Sequence, residues 1–129
     1  MWLASEKNFE NRIKDFLKSE GCYFIKYWSG NAQNGKKFTR DGVPDILCCC
    51  RGFFLGIEVK APNGKPSPLQ IYNLNQIDKS GGFAILLYPE QFQLFKNFIL
   101  CVGVDDENAS KNYELLKERW WKECQIRQW

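Results

Sequence analysis

The sequence contains no histidine. That removes the usual general base of serine and cysteine hydrolases, so any hydrolytic chemistry has to run on carboxylates, lysines and a metal. Also missing are the paired CxxC spacings of structural zinc sites, which argues against a zinc module. No apolar run approaches the roughly 18 residues of a membrane span, and charges enter at once in MWLASEKNFE. Neither a signal peptide, nor an anchor, nor a membrane partner is expected, and the expected location is the cytoplasm. There is no low-complexity tract, and one-sided charge is absent: the formal net charge of +3 permits a nucleic-acid partner without demanding one.

What is present suits an ordinary folded domain. The chain has 129 residues, 44% of them apolar and 26% charged, enough for one core without a disulfide scaffold. Six cysteines occur, but Cys48, Cys49 and Cys50 are consecutive in an apolar run. Neighbours on a strand point to opposite faces, so reduced, buried thiols are expected rather than a disulfide framework.

Periodicity divides the chain into alternating elements. Residues 5–20 predict a helix capped by Ser5, with Phe9, Ile13, Phe16 and Leu17 on one face and Gly21 at its end. CYFIKYW at 22–28 predicts a strand, followed by a polar segment rich in glycine and asparagine. VPDILCCC at 43–50 and FFLGIEVK at 53–60 predict two strands joined by a tight turn at Arg51 and Gly52, with Pro44 near a strand start or on an edge. Ser67 and Pro68 open a helix to about Lys79, Gly81 and Gly82 stop it, and FAILLY at 83–88 is a strand. PEQFQLFKNFIL predicts a helix, DDENAS an exposed connector, and residues 111–127 a last helix. The expected fold class is α/β: an αβββαβ core with a central mixed sheet, its first three strands antiparallel, flanked by helices and followed by a C-terminal helix. The expected division is a domain at 1–104 and a helical extension at 105–129.

The hairpin brings chemistry together. With Arg51 and Gly52 as the two turn residues, Asp45 falls opposite Glu58, and Lys60 projects on the same side as Glu58. Opposed acids among apolar residues repel and are costly to desolvate, and a divalent cation relieves both problems. Carboxylate oxygens suit hard ions such as Mg²⁺, which points to phosphate chemistry with Lys60 orienting the attacking water or stabilising charge. A plain salt bridge of Lys60 with two surface acids is the alternative.

These residues resemble the PD-(D/E)XK nuclease superfamily, whose motif stands here as Pro44-Asp45, twelve intervening residues, then Glu58-Val59-Lys60. GVPDILCCC, LGIEVKAPNGKPSPLQ and the following helix, glycine pair and strand are similar to the virus-type replication-repair nuclease (VRR-Nuc) branch, itself similar to Holliday junction resolvases. The resemblance covers about residues 5–100 and implies a restriction-endonuclease-like fold. It also implies a Mg²⁺- or Mn²⁺-dependent endodeoxyribonuclease acting on Holliday junctions or other branched DNA, a phage or bacterial origin, and a homodimer. It makes Asp45 and Glu58 metal ligands, the Val59 carbonyl a further ligand, and Lys60 the catalytic lysine. Glu10 is the choice for the first-helix acid and a possible ligand. Glu6 also lies toward the apolar face, but an acid in a first turn is explained by the positive helix end. Gln70 matches the glutamine that the branch places early in its second helix, where a merely solvated residue is the alternative. Ser29 follows the first strand as a small polar turn near the substrate. Lys36, Lys37, Arg40 and Lys65 are candidates for gripping a phosphate backbone, with solvated loop charges as the other reading.

A sequence-reading restriction-type or nicking enzyme and a catalytically silent DNA-binding module are the rival functions. The C-terminal helix lies outside the resemblance. Its stripe of Tyr113, Leu116, Trp120 and Cys124 calls for burial, either on its own core or in a two-fold contact between copies.

Overall fold

The computed structural model describes residues 2–28 and 40–127, with side chains from residue 6 onward. Ser29, Lys36 and Lys37 lie outside the described residues. A first helix, α1 (Trp2–Ser19), begins one turn earlier than the Ser5 cap implies, because Leu3 and Ala4 are strong helix formers that extend it. It buries Phe9, Ile13 and Leu17 and ends where Gly21, at φ +74°, lets the Cys22 N–H reach back to the Leu17 carbonyl.

Strands β1 (Tyr23–Lys26), β2 (Ile46–Cys50), β3 (Phe53–Val59) and β4 (Phe83–Leu87) form one sheet in that spatial order. The first three are antiparallel, and β4 joins β3 in parallel. Arg51 and Gly52 turn between β2 and β3 with φ +46° and +89°, the left-handed pair of a two-residue hairpin, and the register runs Cys50↔Phe53 to Ile46↔Ile57. Pro44 lies two residues before the ladder starts, where a missing N–H costs no strand pairing. The parallel join needs a crossover, and α2 (Pro68–Lys79) supplies it. Its start is a reciprocal capping box: Ser67 Oγ accepts from the Gln70 N–H, and Gln70 Oε1 accepts from the Ser67 N–H.

A 3₁₀ turn at Pro89–Gln91 leads into α3 (Phe92–Cys101), and α4 (Asp106–Ile126) closes the chain. The DDENAS segment is therefore a helix start and not a connector: Asp105 caps the Asn108 N–H, and Asp106 and Glu107 complement the positive helix end. Polar composition is shared by connectors and first turns, and the cap decides between them.

The pleat divides the core in two. Ile46, Cys48, Cys50, Leu55, Ile57, Ile85 and Leu87 pack with α1 and α3, whereas Ala84 and Leu86 pack with Ile71 and Leu74 of α2 and Trp120 of α4. All six cysteines are free. Burial of the consecutive three alternates, with Cys48 and Cys50 inside and Cys49 exposed, so the expectation of buried thiols fails for Cys49. Helix α4 spends its stripe within the chain. The Tyr113 hydroxyl accepts from the Ala84 N–H, and Trp120 Nε1 donates to the Ala84 carbonyl. Two rings thus satisfy the outer backbone of edge strand β4, which would otherwise be open to pairing. A two-fold contact between copies has to use a different surface.

Candidate functional site

At the end of the sheet where β3 finishes, Glu58 and Asp45 meet. Extending the hairpin register by one position sets Asp45 opposite Glu58, as the tight turn requires. Here the β2 backbone has left the ladder, and the Asp45 side chain takes its place: Oδ2 accepts from the Val59 N–H at 2.9 Å, while the Asp45 carbonyl accepts from the Tyr27 N–H at 2.8 Å. Asp45 is thereby held by both neighbouring strands. The same register sets Pro44 opposite Val59, and proline has no N–H to offer the Val59 carbonyl, which in a strand points the same way as its N–H. That carbonyl faces the Asp45 side.

Glu58 is 2% exposed. Its Oε2 accepts from Gln70 Nε2 at 3.0 Å and lies 3.7 Å from Lys60 Nζ. The capping box explains the Gln70 orientation, since its oxygen is engaged by the Ser67 N–H and its NH₂ is left to turn toward Glu58. The other carboxyl oxygen, Oε1, is buried with no hydrogen-bond donor among the described residues. Burial first, then the Asp45 charge and close approach of the two carboxyls, push the Glu58 pKa up to about 9, against the pull of Lys60 and Lys26. Two carboxylates can hydrogen-bond only by sharing a proton. Either a proton or a cation must fill the space between them.

Helix α1 contributes two acids. Glu10 accepts from Lys26 Nζ at 2.5 Å and pairs with Lys14 at 3.0 Å. Burial works to raise its pKa, but the hydrogen bonds from Lys26 and Lys14 outweigh that and lower it. Lys26 in turn lies 3.7 Å from Asp45 Oδ1. Burial alone would lower the Lys26 pKa, and Glu10 and Asp45 overcome it and raise it. Glu6 differs. Its pKa is raised, by burial and then by Asp45, with Lys60 acting in the opposite direction. Because α1 begins at Trp2, Glu6 is not in the first turn, and the helix-end explanation that favoured Glu10 does not apply. Both acids line a cavity of about 290 Å³ with Lys7, Lys26, Trp28 and Asp45.

The structure thus brings Asp45, Glu58, Val59, Lys60 and Gln70 together, with Glu6 and Glu10 on the adjoining wall. Arg40 stands apart from this cluster. It is exposed, its N–H donates to the Tyr27 hydroxyl at 2.8 Å, and it borders a separate depression with Phe54, Asn73 and Gln76. Lys65 is exposed in the loop after β3, a loop tethered by the Tyr88 hydroxyl donating to the Gly64 carbonyl. Lys7, Lys26 and Trp28 are the site residues that sequence reasoning missed. The signal was the alternation in YFIK, which puts Lys26 on the inward face with Phe24, opposite Ile46.

Among the described residues, no group of three or more acidic or thiol side chains is arranged to hold a metal ion. The candidate donor set is two carboxylates and a main-chain carbonyl, which matches the sparse protein ligation of Mg²⁺ better than a closed protein cage. Compared with known proteins, the chain matches no family model, no curated protein and no solved structure.

Proposed function

We propose that this chain is a divalent-metal-dependent deoxyribonuclease with a restriction-endonuclease-like core, and that it hydrolyses phosphodiester bonds in branched DNA. The observation that carries the reading is Glu58: a buried carboxyl facing a second carboxyl, with one oxygen lacking any donor among the described residues and an ammonium and an amide on the other. A domain retains such a conflict when something absent from the polypeptide resolves it. Oxygen donors and the missing histidine favour a hard ion, so Asp45, Glu58 and the Val59 carbonyl would hold Mg²⁺ or Mn²⁺.

Such an ion supplies Lewis-acid polarisation of phosphate oxygens and a more acidic attacking water. The chain's own groups do the rest. Lys60, held beside Glu58, presents an ammonium to the developing phosphate charge or to the attacking water. Gln70, locked by the Ser67 cap, keeps Glu58 oriented and offers a fixed amide to the same space. The Val59 N–H holds Asp45 in place and prevents it from swinging into solvent. Glu6 supports the reading as the first-helix acid, since Lys26 and Lys14 already occupy Glu10.

The test is a panel of labelled junction, flap, nicked and fully paired DNAs with Mg²⁺, Mn²⁺ or EDTA. Cutting with metal only, and preference for branched forms, is expected. Equal cutting in EDTA, or binding without cutting on every form, would remove the nuclease reading, and preference for one linear sequence would replace branched DNA with a restriction-type substrate.

A further inference from the structure

Trp28 is 74% exposed, and it lines the same 290 Å³ cavity as Glu6, Lys7, Glu10, Lys26 and Asp45. Tryptophan is among the most buried residues on average, and an exposed one in the wall of a charged cavity is not explained by packing. Its position is constrained by the two residues before it. The preceding residue, Tyr27, is tied by its N–H to the Asp45 carbonyl and by its hydroxyl to the Arg40 backbone. The Lys26 ammonium sits 5.2 Å from the centre of the Trp28 ring, a cation–π contact that steadies the indole while leaving most of it to solvent.

The cavity is at the small end of the roughly 300–1,000 Å³ range of ligand sites, a size for one nucleotide and not for a stacked base pair. Among the carboxyls of Glu6, Glu10 and Asp45, its wall pairs an aromatic face with two lysines. That pairing is the chemistry by which proteins take single-stranded nucleic acid, with bases stacking on rings and cations following the phosphates. A fully paired duplex keeps its bases stacked on one another and has no free base face to offer.

We infer that Trp28 is a stacking platform for an unpaired base next to the phosphate that a cation on Asp45 and Glu58 would hold, so that the substrate is DNA with single-stranded character beside the cut. The inference rests on the nuclease reading for the scissile phosphate, but the stacking itself is a binding property that can be measured without cleavage. Lys7, exposed on α1, contacts the backbone of the unpaired strand while Lys26 stays with Glu10 and Asp45 and braces the indole. Trp28 selects for strand separation and not for sequence, because every base has a π-face.

The experiment is fluorescence anisotropy in EDTA, using full-length protein with a flap DNA whose unpaired strand begins at the branch and a duplex of equal length. Trp28→Ala is expected to weaken flap binding about 5- to 150-fold, the worth of one base–aromatic stack, and to leave duplex binding within about two-fold. Trp28→Phe is expected to recover most of the loss. Unfolding midpoints of the variants, unchanged from wild type, exclude a folding defect. Equal weakening on both DNAs, no weakening on either, or no recovery with phenylalanine would overturn the inference. Nicking assays with Mn²⁺ on the wild type run in parallel: their failure would overturn the nuclease reading and leave the stacking result standing.

Discussion

Two polar clusters beside this sheet invite comparison, one between α2 and α4 and one at the end of β3. In the first, Asp78 accepts from the Tyr113 hydroxyl at 2.6 Å and from Lys117 Nζ at 2.9 Å, and Lys117 lies over the Trp121 ring at 4.4 Å. Every charge there has an opposite or a donor, and burial of the Tyr113 phenol pushes its pKa upward, so it stays a donor. In the second, acid faces acid and one oxygen of Glu58 has no donor among the described residues. Polar groups that only hold a fold together can be satisfied within the fold. A cluster left open at this cost is a place for something that arrives from outside.

The comparison breaks first on activity. Lys60→Ala and Asp45→Asn, the latter keeping an oxygen for the Val59 N–H, are expected to lower metal-dependent nicking about 10²–10³-fold or more with little change in unfolding midpoint, as for loss of a group that stabilises a transition state. Single-turnover assays paired with thermal melts check this. A matching fall in both would make the site structural.

Stability reverses the ranking. Asp78→Ala strands the Lys117 ammonium and the Tyr113 hydroxyl, both largely buried, and is expected to cost about 3 kcal/mol in urea unfolding. Glu58→Gln should do the opposite in metal-free protein, raising stability at pH 8 by about 1–3 kcal/mol because glutamine is neutral without having to take up a proton on folding.

The sign with pH sharpens the contrast. With the Glu58 pKa raised from 4.5 to about 9, the folded state keeps a proton that the unfolded chain has released between those values. Metal-free stability is therefore expected to fall as pH rises from about 4.5 to about 9, and Glu58→Gln to flatten that slope. Urea midpoints at half-unit pH intervals, in EDTA, would show it; a slope unchanged in Glu58→Gln would place the titrating group elsewhere. The smallest expected effect is ligand stabilisation. At ten times its dissociation constant, Mg²⁺ should add about 1.4 kcal/mol to wild type and nothing to Asp45→Asn.

Much of the site was legible because a two-residue turn leaves no freedom in register: Arg51 and Gly52 alone set Asp45 opposite Glu58. Gln70 was legible as a helix residue, and its link to Glu58 follows from the Ser67 cap three residues before it. Lys26 was hidden in an aromatic strand because its partners, Glu10 and Asp45, come from two other elements that only tertiary packing unites. The preference for Glu10 over Glu6 rested on where α1 begins, and helix ends are where local propensity discriminates least. The C-terminal helix showed its apolar stripe but not its destination. Capping the backbone of Ala84 with Tyr113 and Trp120 depends on β4 being an edge, a fact of sheet order that no local pattern carries.

The most direct measurement is calorimetric titration of Mn²⁺ into the metal-free protein at pH 8, in two buffers of different protonation enthalpy, with Asp45→Ala alongside. The account predicts binding to wild type with release of a proton from the Glu58–Asp45 pair, seen as a buffer-dependent heat, and loss of binding in the variant. Binding that survives Asp45→Ala unchanged, or no binding to wild type at millimolar Mn²⁺, would contradict it.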